Sequence, residues 1–343
     1  MYRDRDYIED NEGRILKVVG NYHPDNFVVS YVKYYPDKIF GNRLIQDKGK
    51  YSYNTHVPKN FSLLSEEKDR IIFSEKHGGV ITATPVSQIT RHYSAREKVV
   101  EVLNNQKLYS QHTVGKHLLS FLKSINPKFL NKIGITGSFL IDGYNENSDI
   151  DLTCYGRDVY TYLKQVFHNS SVIDPYQGER AIQLYNRRMI YMAQLDFQKL
   201  IKQENRRLQG VVSGTNIHIN CQALIDDDQI GKDFFSSVIL HPIGEIEAIV
   251  KIKGTKESIY SPCYYEIEVV DILESLFPNE LSFIKEIKYL LSFIGSYSCV
   301  FHKDEKISVK GLLIRIQQKD KICLGIELTP WNTSKLFSAV LLN

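Results

Sequence analysis

The sequence predicts an α+β protein, with a central mixed sheet and helices between an N-terminal β-rich domain and a C-terminal β-barrel-like domain. A chain of 343 residues is longer than one hydrophobic core usually serves, so we expect more than one domain. The hydrophobic fraction of 43% and the charged fraction of 24% are typical of a folded protein. The hydrophobic period changes from strand-like to helical near Ser94 and returns to strand-like near Leu240. These changes predict domains at 1–90, 91–238 and 239–343.

The first domain is predicted from short strand-like runs that are separated by turn signals. The runs cover residues 7–8, 14–20, 27–34 and 79–84. The 22 Tyr and 16 Phe residues of the chain also favour strands, because aromatic side chains suit a pleated, half-buried surface. Gly, Pro, Asn and Asp between the runs favour turns. A small β-rich unit is the structure that this pattern predicts.

The central domain begins where the hydrophobic period becomes helical. Ser94 and Glu97 form a capping-box pattern at the start of this stretch. The predicted elements are helices over 94–104 and 114–122, strands over 132–136 and 148–154, a helix over 157–168, a basic helical stretch over 187–208 and a strand over 216–224. Strands and helices in this order predict a mixed sheet covered by helices.

The last domain is again rich in strand-like runs. These cover residues 246–252, 264–270, 306–316 and 321–328. Several strands in succession, without long helical stretches between them, predict a barrel-like sheet.

The overall charge excludes a chain that is basic throughout. The 43 Lys and Arg residues against 40 Asp and Glu leave a formal net charge of +3, so any nucleic-acid contact must be a local patch. The five cysteines are scattered and form no CxxC pair, which argues against a disulfide framework or a zinc site and favours the cytoplasm. The charged beginning of the chain lacks the apolar core of a secretory signal, and the apolar stretch 289–301 is too short to span a bilayer. We therefore expect a cytoplasmic protein with no membrane partner.

One segment combines a glycine-containing turn with a pair of carboxylates. Gly137 and Ser138 form a turn after the strand predicted at 132–136, and Asp149 and Asp151 lie on the next strand. Side chains two residues apart on a strand point to the same side, so the two carboxylates project together. Two close carboxylates need a cation, and Mg²⁺ favours carboxylates together with phosphate oxygens. Turn amides next to a glycine can bind phosphate, so the combination indicates a site for a metal-bound nucleoside triphosphate.

The same residues carry a resemblance to a known family. Gly137 and Ser138, followed after a spacer by Asp149 and Asp151, resemble the signature of the nucleotidyltransferases of the DNA polymerase beta superfamily. More broadly, the sequence segments 3–8 and 257–262 resemble those of archaeal predicted nucleotidyltransferases. The resemblance implies transfer of a nucleoside monophosphate from an NTP to an acceptor, with two Mg²⁺ ions and release of pyrophosphate. It also implies that the Gly-Ser turn holds the triphosphate and that the two aspartates coordinate the metal ions.

The chain departs from the family pattern at the third carboxylate, which the superfamily places on a later strand. In the strand predicted at 216–224, His218 stands at the tentative third position. A lone histidine on a strand is more often a packed or surface residue than a ligand. Asp196 and the acidic run 226–228 are the other sources of a carboxylate, although a helix-like stretch and a solvated loop are their simpler interpretations.

Three interpretations of function therefore stay open at this point. The first is a metal-dependent nucleotidyltransferase whose acceptor is RNA, protein or a small molecule. The second is a catalytically inert scaffold that acts as a nucleic-acid-binding or assembly protein, as the unassigned third carboxylate suggests. The third is a structural cation site at Asp149 and Asp151. The basic stretch 180–207 is a candidate contact for RNA, and a solvated helix face explains it equally well.

Overall fold

The structure of the protein is a computed structural model. It describes residues 1–54, 63–64, 66–169, 171–189, 196–275, 281–319, 321–328 and 338–342. The chain forms two compact units. Unit 1 comprises residues 1–70, 82–175 and 208–227, and unit 2 comprises residues 71–81, 176–207 and 228–343. The three-domain boundaries expected from the sequence stay a prediction.

Unit 1 begins with an antiparallel sheet. The first eight strands of the chain are β1 (Tyr7–Asp10), β2 (Ile15–Val18), β3 (Phe27–Pro36), β4 (Arg43–Ile45), β5 (Gly49–Tyr53), β6 (Ile71–Ser74), β7 (Gly79–Pro85) and β8 (Ile89–Tyr93). Their main order is β4-β5-β3-β2-β1-β8, and β7 also pairs with β3 through residues 83–85. The N-terminal β-rich region predicted from the sequence is confirmed as a sheet.

The two faces of this sheet bury different side chains. Ile8, Leu16 and Val32 are aligned across β1, β2 and β3 and lie in one apolar cluster. Tyr7 lies on the other face, in a second cluster that includes Leu140 from the segment after the Gly-Ser turn. The second face of the N-terminal sheet is therefore covered by the segment that carries the sequence motif.

The second sheet of unit 1 is mixed, as the sequence predicts. Its strands are β9 (Ile133–Thr136), β10 (Ile150–Tyr155), β11 (Ile173–Asp174), β12 (Gln209–Val212) and β13 (His218–Leu224), in the order β11-β12-β13-β10-β9. Only β10 and β13 run parallel among these pairs. The helices of unit 1 are α1 (Ala95–Asn104), α2 (Gln106–Tyr109), α3 (Thr113–Ser124) and α4 (Arg157–Asn169). The predicted cap is confirmed, because Ser94 accepts a hydrogen bond from the Glu97 amide at 3.4 Å.

Unit 2 contains the third sheet. Its elements after β6 are α5 (Gly178–Met189), α6 (Phe197–Glu204), α7 (Phe234–Ser237), β14 (Val238–Gly254), β15 (Cys263–Ser275), α8 (Leu281–Lys285), β16 (Ile287–Ser292), β17 (Lys306–Gln318), β18 (Lys321–Glu327) and β19 (Ser338–Leu341). The strand order is β14-β15-β16-β18-β17-β19, and β14 also pairs with β17. This additional pairing closes the sheet into a ring, in agreement with the barrel-like arrangement that the sequence predicts.

The single helical stretch predicted at 187–208 is wrong as one element. Helix α5 ends at Met189, α6 covers only Phe197–Glu204, and residues 190–195 lie outside the described residues. Asp196 caps α6, because its carboxylate accepts a hydrogen bond from the Lys199 amide at 3.0 Å. The hydrophobic period continues across the break, whereas the cap shows that a new helix begins there.

No helix in the described part of the chain is both long and apolar enough to cross a membrane.

Unit 2 buries a carboxyl group at the end of β18. The side chain of Glu327 is almost fully buried, and its Oε1 atom has no hydrogen-bond partner among the described residues. Burial raises the pKa of Glu327 well above the ordinary value for a glutamate, because a buried carboxylate loses its hydration. The neutral form of Glu327 is therefore favoured in the folded protein.

Replacement of Glu327 by its neutral isostere Gln tests this burial. The stabilising effect of the neutral carboxyl is fully present below the unfolded pKa of about 4.3 and is lost as pH rises towards the folded pKa. We expect Glu327→Gln to be more stable than the wild type at neutral pH. The difference should grow by up to about 1.4 kcal/mol per pH unit above about pH 4.5. Thermal unfolding of both proteins across this pH range measures the difference.

Glu274→Gln is the matched control, because Glu274 is an exposed glutamate on β15 of the same unit. It should show no comparable pH-dependent gain. A stability difference for Glu327→Gln that is independent of pH would mean that Glu327 is ionised in the folded protein.

Candidate active site

Strand register brings the two halves of the sequence motif together. Asp151 on β10 is in register with Thr136 on the antiparallel strand β9, which ends directly before Gly137. On its other side, Asp151 is in register with Asn220 on the parallel strand β13. Residues in register on neighbouring strands project to the same face of a sheet. The Gly-Ser turn, Asp151 and Asn220 therefore form one local cluster.

Gly137 is required by its contact with Asp151. Its φ is +67°, a backbone conformation that residues with a Cβ rarely adopt. A Cβ atom at this position would also overlap the Asp151 carboxylate. The turn continues as a short 3-10 helix over Gly137–Phe139, in which Ser138 is buried. The missing side chain of Gly137 thus leaves backbone directly against the carboxylate.

The carboxylate pair lies at the start of β10. Asp149 directly precedes this strand, Asp151 is its second residue, and both side chains are partly exposed. Ile150 and Leu152 between and after them are fully buried. The alternation of buried and partly exposed residues is the pattern that the sequence predicts. It places both aspartates on the face that is not packed into the core.

The segment between the turn and the carboxylates has a fixed path. Arg43 Nη1 on β4 donates hydrogen bonds to Gly143 O and Ser148 Oγ, both at 3.3 Å. The buried Lys98 forms an ion pair with Asp142 at 2.7 Å. These contacts anchor the segment between the Gly-Ser turn and Asp149 to β4 and to Lys98.

The third position of the cluster is occupied by an amide. Asn220 Nδ2 donates a hydrogen bond to Asp151 Oδ1. His218, the residue tentatively assigned from the sequence, begins β13 two positions earlier and is in register with Val211 on β12. His218 and Asn220 share a face of β13, and the residue in register with Asp151 is Asn220. The assignment of His218 to the third position stays a prediction.

The other carboxylates considered from the sequence are engaged elsewhere. Asp226 forms an ion pair with Lys132 at 2.7 Å, and Asp227 pairs with Arg3 and Arg96, both at 2.5 Å. Asp226 and Asp227 follow the C-terminal end of β13, whereas Asn220 lies near the start of this strand. Ion pairing also lowers the pKa of Asp226, although burial acts in the opposite direction. This acidic run therefore has a structural explanation, as Asp196 has in capping α6.

The segment that precedes the N-terminal sheet also reaches the cluster. Thr136 Oγ1 donates a hydrogen bond to Arg5 O at 2.7 Å. Because Thr136 is in register with Asp151, this bond places the Arg5 backbone beside the candidate site. Arg5 itself has a φ of +71°, which is unusual for a residue with a side chain. The junction between the two sheets of unit 1 is thus part of the site.

The oxygen atoms of the cluster suit a hard divalent cation. Asp149 and Asp151 offer carboxylate oxygens and Asn220 offers an amide oxygen, which are ligand types that Mg²⁺ prefers. No group of three or more His, Cys, Asp or Glu side chains arranged for a metal ion occurs among the described residues.

Comparison with known proteins supports this interpretation. Residues 116–229 match the family model of the nucleotidyltransferase domain, which confirms the resemblance predicted from the motif. The matched segment includes the Gly-Ser turn, both aspartates and Asn220. An uncharacterized protein of Methanocaldococcus jannaschii is 22% identical over 335 residues, which cover 92% of each chain. No solved structure matches this chain.

Sequence reasoning missed Asn220 and the participation of Arg5. The strand 216–224 places residues 216, 218 and 220 on one face, and only the register with β10 distinguishes them. Arg5 lies far from the motif along the chain, so no local pattern relates it to Asp151. Both residues become visible only when the pairing of strands is known.

The substitution Asn220→Asp tests the geometry of the cluster. It replaces a hydrogen-bond donor to Asp151 by a third carboxylate, which Asp151 repels unless a cation is bound. In the presence of EDTA we expect a loss of about 1–3 kcal/mol in the free energy of unfolding. Added Mg²⁺ should restore stability more in the variant than in the wild type, because a third carboxylate strengthens cation binding. Thermal unfolding with and without Mg²⁺ measures both effects.

Asn216→Asp provides the matched control, because Asn216 is exposed and lies two residues before β13. If both variants respond to Mg²⁺ in the same way, Asn220 does not belong to a cation site.

Proposed function

We propose that this protein transfers a nucleoside monophosphate from a nucleoside triphosphate to an acceptor hydroxyl, with Mg²⁺ bound at Asp149 and Asp151. The observation that carries this proposal is the contact of the Gly137 backbone with the Asp151 carboxylate. A phosphate-binding turn and a cation-binding carboxylate are useful at such close range when they act on the same ligand. A metal-bound triphosphate satisfies both.

Each element of the cluster has a defined task in this proposal. Gly137 and Ser138 hold the triphosphate, because a turn without a Cβ lets phosphate oxygens approach backbone amides. Asp149 and Asp151 hold Mg²⁺, which neutralises charge on the attacking and leaving oxygens when bound. Asn220 orients Asp151 through its hydrogen bond. The protein thereby supplies position and charge rather than a covalent intermediate.

The proposed reaction balances without an additional reactant. The acceptor oxygen forms a bond to the α-phosphorus, and the bond from this phosphorus to the oxygen that bridges to the β-phosphate breaks. The electron pair of the broken bond leaves with pyrophosphate, and the hydroxyl proton passes to solvent. Such transfers depend on alignment and electrostatic stabilisation, which are the properties that a fixed turn and a fixed carboxylate pair provide.

RNA is one acceptor class that we propose, with the basic stretch 180–207 as its contact and the cytoplasm as its compartment. The described part of this stretch lies in unit 2, and residues 190–195 lie outside the described residues. Glu204 pairs with Arg188 at 2.9 Å and with Arg207 at 3.1 Å, and Arg206 pairs with Glu305 at 2.6 Å. These ion pairs neutralise part of the basic charge of the stretch.

An inert scaffold that binds nucleic acid or assembles with a partner is the second candidate function. The observation that favours it is Asn220, an amide in register with Asp151 where a third carboxylate would complete a catalytic set. An amide cannot accept the proton of an acceptor hydroxyl. Turnover therefore distinguishes the two candidates, because the scaffold needs none.

Removing one negative charge at a time from the carboxylate pair tests the proposed function. We expect Asp149→Asn and Asp151→Asn each to lower nucleotidyl transfer by at least about a hundredfold, because each substitution removes a metal-binding carboxylate. The measurement is covalent transfer of label from α-labelled NTPs to bulk RNA or protein with Mg²⁺ present, together with pyrophosphate release. Addition of EDTA should abolish both signals in the wild type.

Asp25→Asn is the control, because Asp25 is an exposed aspartate of the same unit. It should retain the wild-type rate. Wild-type protein that binds NTP without transferring label or releasing pyrophosphate would favour the inert scaffold. Full activity of both Asp149→Asn and Asp151→Asn would show that the carboxylate pair does not bind the catalytic metal.

A further inference from the structure

A lysine lies in the middle of the N-terminal sheet, on the face that is turned towards the candidate site. Lys17 on β2 is in register with Tyr7 on β1 and with Tyr31 on β3. Cross-strand neighbours in register project to the same face of a sheet. Tyr7 packs in the cluster that contains Leu140 and Ile141, which follow the Gly-Ser turn. Lys17 therefore shares the face that covers the turn.

Two further cations lie close to the same place. Arg5 is held beside Asp151 by the hydrogen bond from Thr136 to its carbonyl oxygen. Lys33 lies at a β-bulge in the pairing of β2 with β3, next to Tyr34, which packs in the same cluster as Tyr7. The Lys33 charge acts on both Lys17 and Asp151. We name Arg5, Lys17 and Lys33 the cationic wall. All three belong to unit 1, as the candidate site does.

Among the described residues, one carboxylate lies within ion-pairing distance of the cationic wall. Lys17 has no hydrogen-bond acceptor and no ion-pair partner among the described residues. The Lys33 ammonium donates to the Asn54 carbonyl oxygen at 3.1 Å, a neutral partner. Arg5 Nε lies 3.6 Å from Asp4 Oδ2, and Asp4 also accepts a hydrogen bond from the Gly20 amide. The three cations thus share one carboxylate at ion-pairing distance, and it contacts only Arg5.

The charges of Lys17, Lys33 and Asp151 act on one another. Burial lowers the pKa of Lys17 to about 7, the Arg5 and Lys33 cations lower it as well, and the carboxylates of Asp4 and Asp151 act in the opposite direction. Burial likewise lowers the pKa of Lys33, and the Asp151 charge again opposes this shift. A lysine that is dehydrated by its surroundings gains from any anion that restores its charge.

The lysines do not serve as permanent partners of Asp151. In the described part of the chain no ion pair within 4.0 Å joins Asp151 to Lys17 or Lys33, and Asp151 accepts a hydrogen bond from Asn220 instead. Lys17 and Lys33 also keep partial solvent exposure. Because these cations and this carboxylate act on each other without an ion pair, a ligand that binds both would complete their charge balance. Such a ligand must carry negative charge where it contacts the cationic wall, and it must share a bound cation with Asp151.

We infer that Arg5, in the turn before β1, and Lys17 and Lys33 of the N-terminal sheet bind the β- and γ-phosphates of the nucleoside triphosphate, opposite the metal-binding carboxylates. This inference rests on the proposed function. In it, the N-terminal sheet is part of the nucleotide site rather than a separate module. Phosphate oxygens would contact the ammonium and guanidinium groups on one side and share the divalent cation with Asp149 and Asp151 on the other. The same contacts would stabilise the charge that develops on departing pyrophosphate.

Equilibrium binding of Mg·NTP to Lys17→Met and Lys33→Met tests the inference without any need for turnover. Methionine keeps the length of the side chain and removes its charge. We expect each substitution to raise the dissociation constant for Mg·NTP by about tenfold or more, because a charged contact with phosphate is lost. Lys17→Arg should restore most of the affinity. Calorimetric titration with each of the four NTPs measures these changes, and circular dichroism confirms that the variants are folded.

Lys50→Met is the matched control, because Lys50 is an exposed lysine on β5 of the same sheet. Its affinity for Mg·NTP should stay within about twofold of the wild type. Wild-type affinity in both Lys17→Met and Lys33→Met, with normal NTP binding by the wild type, would overturn the cationic wall and leave the proposed function standing.

Titration with inorganic tripolyphosphate separates the remaining outcomes. If the wild type binds tripolyphosphate but no Mg·NTP, and Lys17→Met weakens this binding, the wall is a polyphosphate site and the nucleotide function is wrong. If the wild type binds neither ligand, both proposals are contradicted. If Lys17→Met weakens NTP binding while Asp149→Asn and Asp151→Asn retain transfer, the wall stands and the metal assignment fails.

Discussion

The candidate site depends on one close contact, between the backbone of Gly137 and the carboxylate of Asp151. The antiparallel register of β9 and β10 creates this contact, and a left-handed glycine without a Cβ makes it possible. The same register aligns Thr136 with Asp151, and the Thr136 hydroxyl then holds the Arg5 carbonyl. On the other side, the parallel register of β10 and β13 delivers Asn220. The register of β10 with its two neighbouring strands thus determines which groups meet at the site.

Negative and positive charges lie on different sides of this contact. The carboxylates of Asp149 and Asp151 lie on one side, the neutral amide of Asn220 replaces a possible third carboxylate, and the cationic wall lies on the face of the N-terminal sheet that covers the turn. A two-carboxylate site carries less negative charge than a three-carboxylate site, so it repels an incoming triphosphate less. A nearby group of cations attracts the same ligand. In our account, the amide and the wall act in the same direction, towards binding of a polyphosphate.

The features that could be predicted from the sequence are local ones. The cap at Ser94, the glycine turn at Gly137 and the paired projection of Asp149 and Asp151 follow from short-range geometry, and the strand-rich ends follow from composition. Asn220 could not be selected, because its role depends on the register of two strands separated by more than sixty positions. The role of Lys17 could not be predicted from nearby residues either, because it depends on a sheet face that packs against a distant segment of the chain. Pairing between remote strands is a tertiary property that hydrophobic period does not encode.

The most direct test of this account is a crystal structure with Mn²⁺ in place of Mg²⁺ and a non-hydrolysable NTP, measured at a wavelength where manganese scatters anomalously. The account predicts an anomalous peak at coordination distance from oxygens of both Asp149 and Asp151. It also predicts that the β- and γ-phosphates lie between this peak and the side chains of Lys17 and Lys33. A triphosphate bound away from the Gly-Ser turn, or a metal ion that contacts neither aspartate, would contradict it.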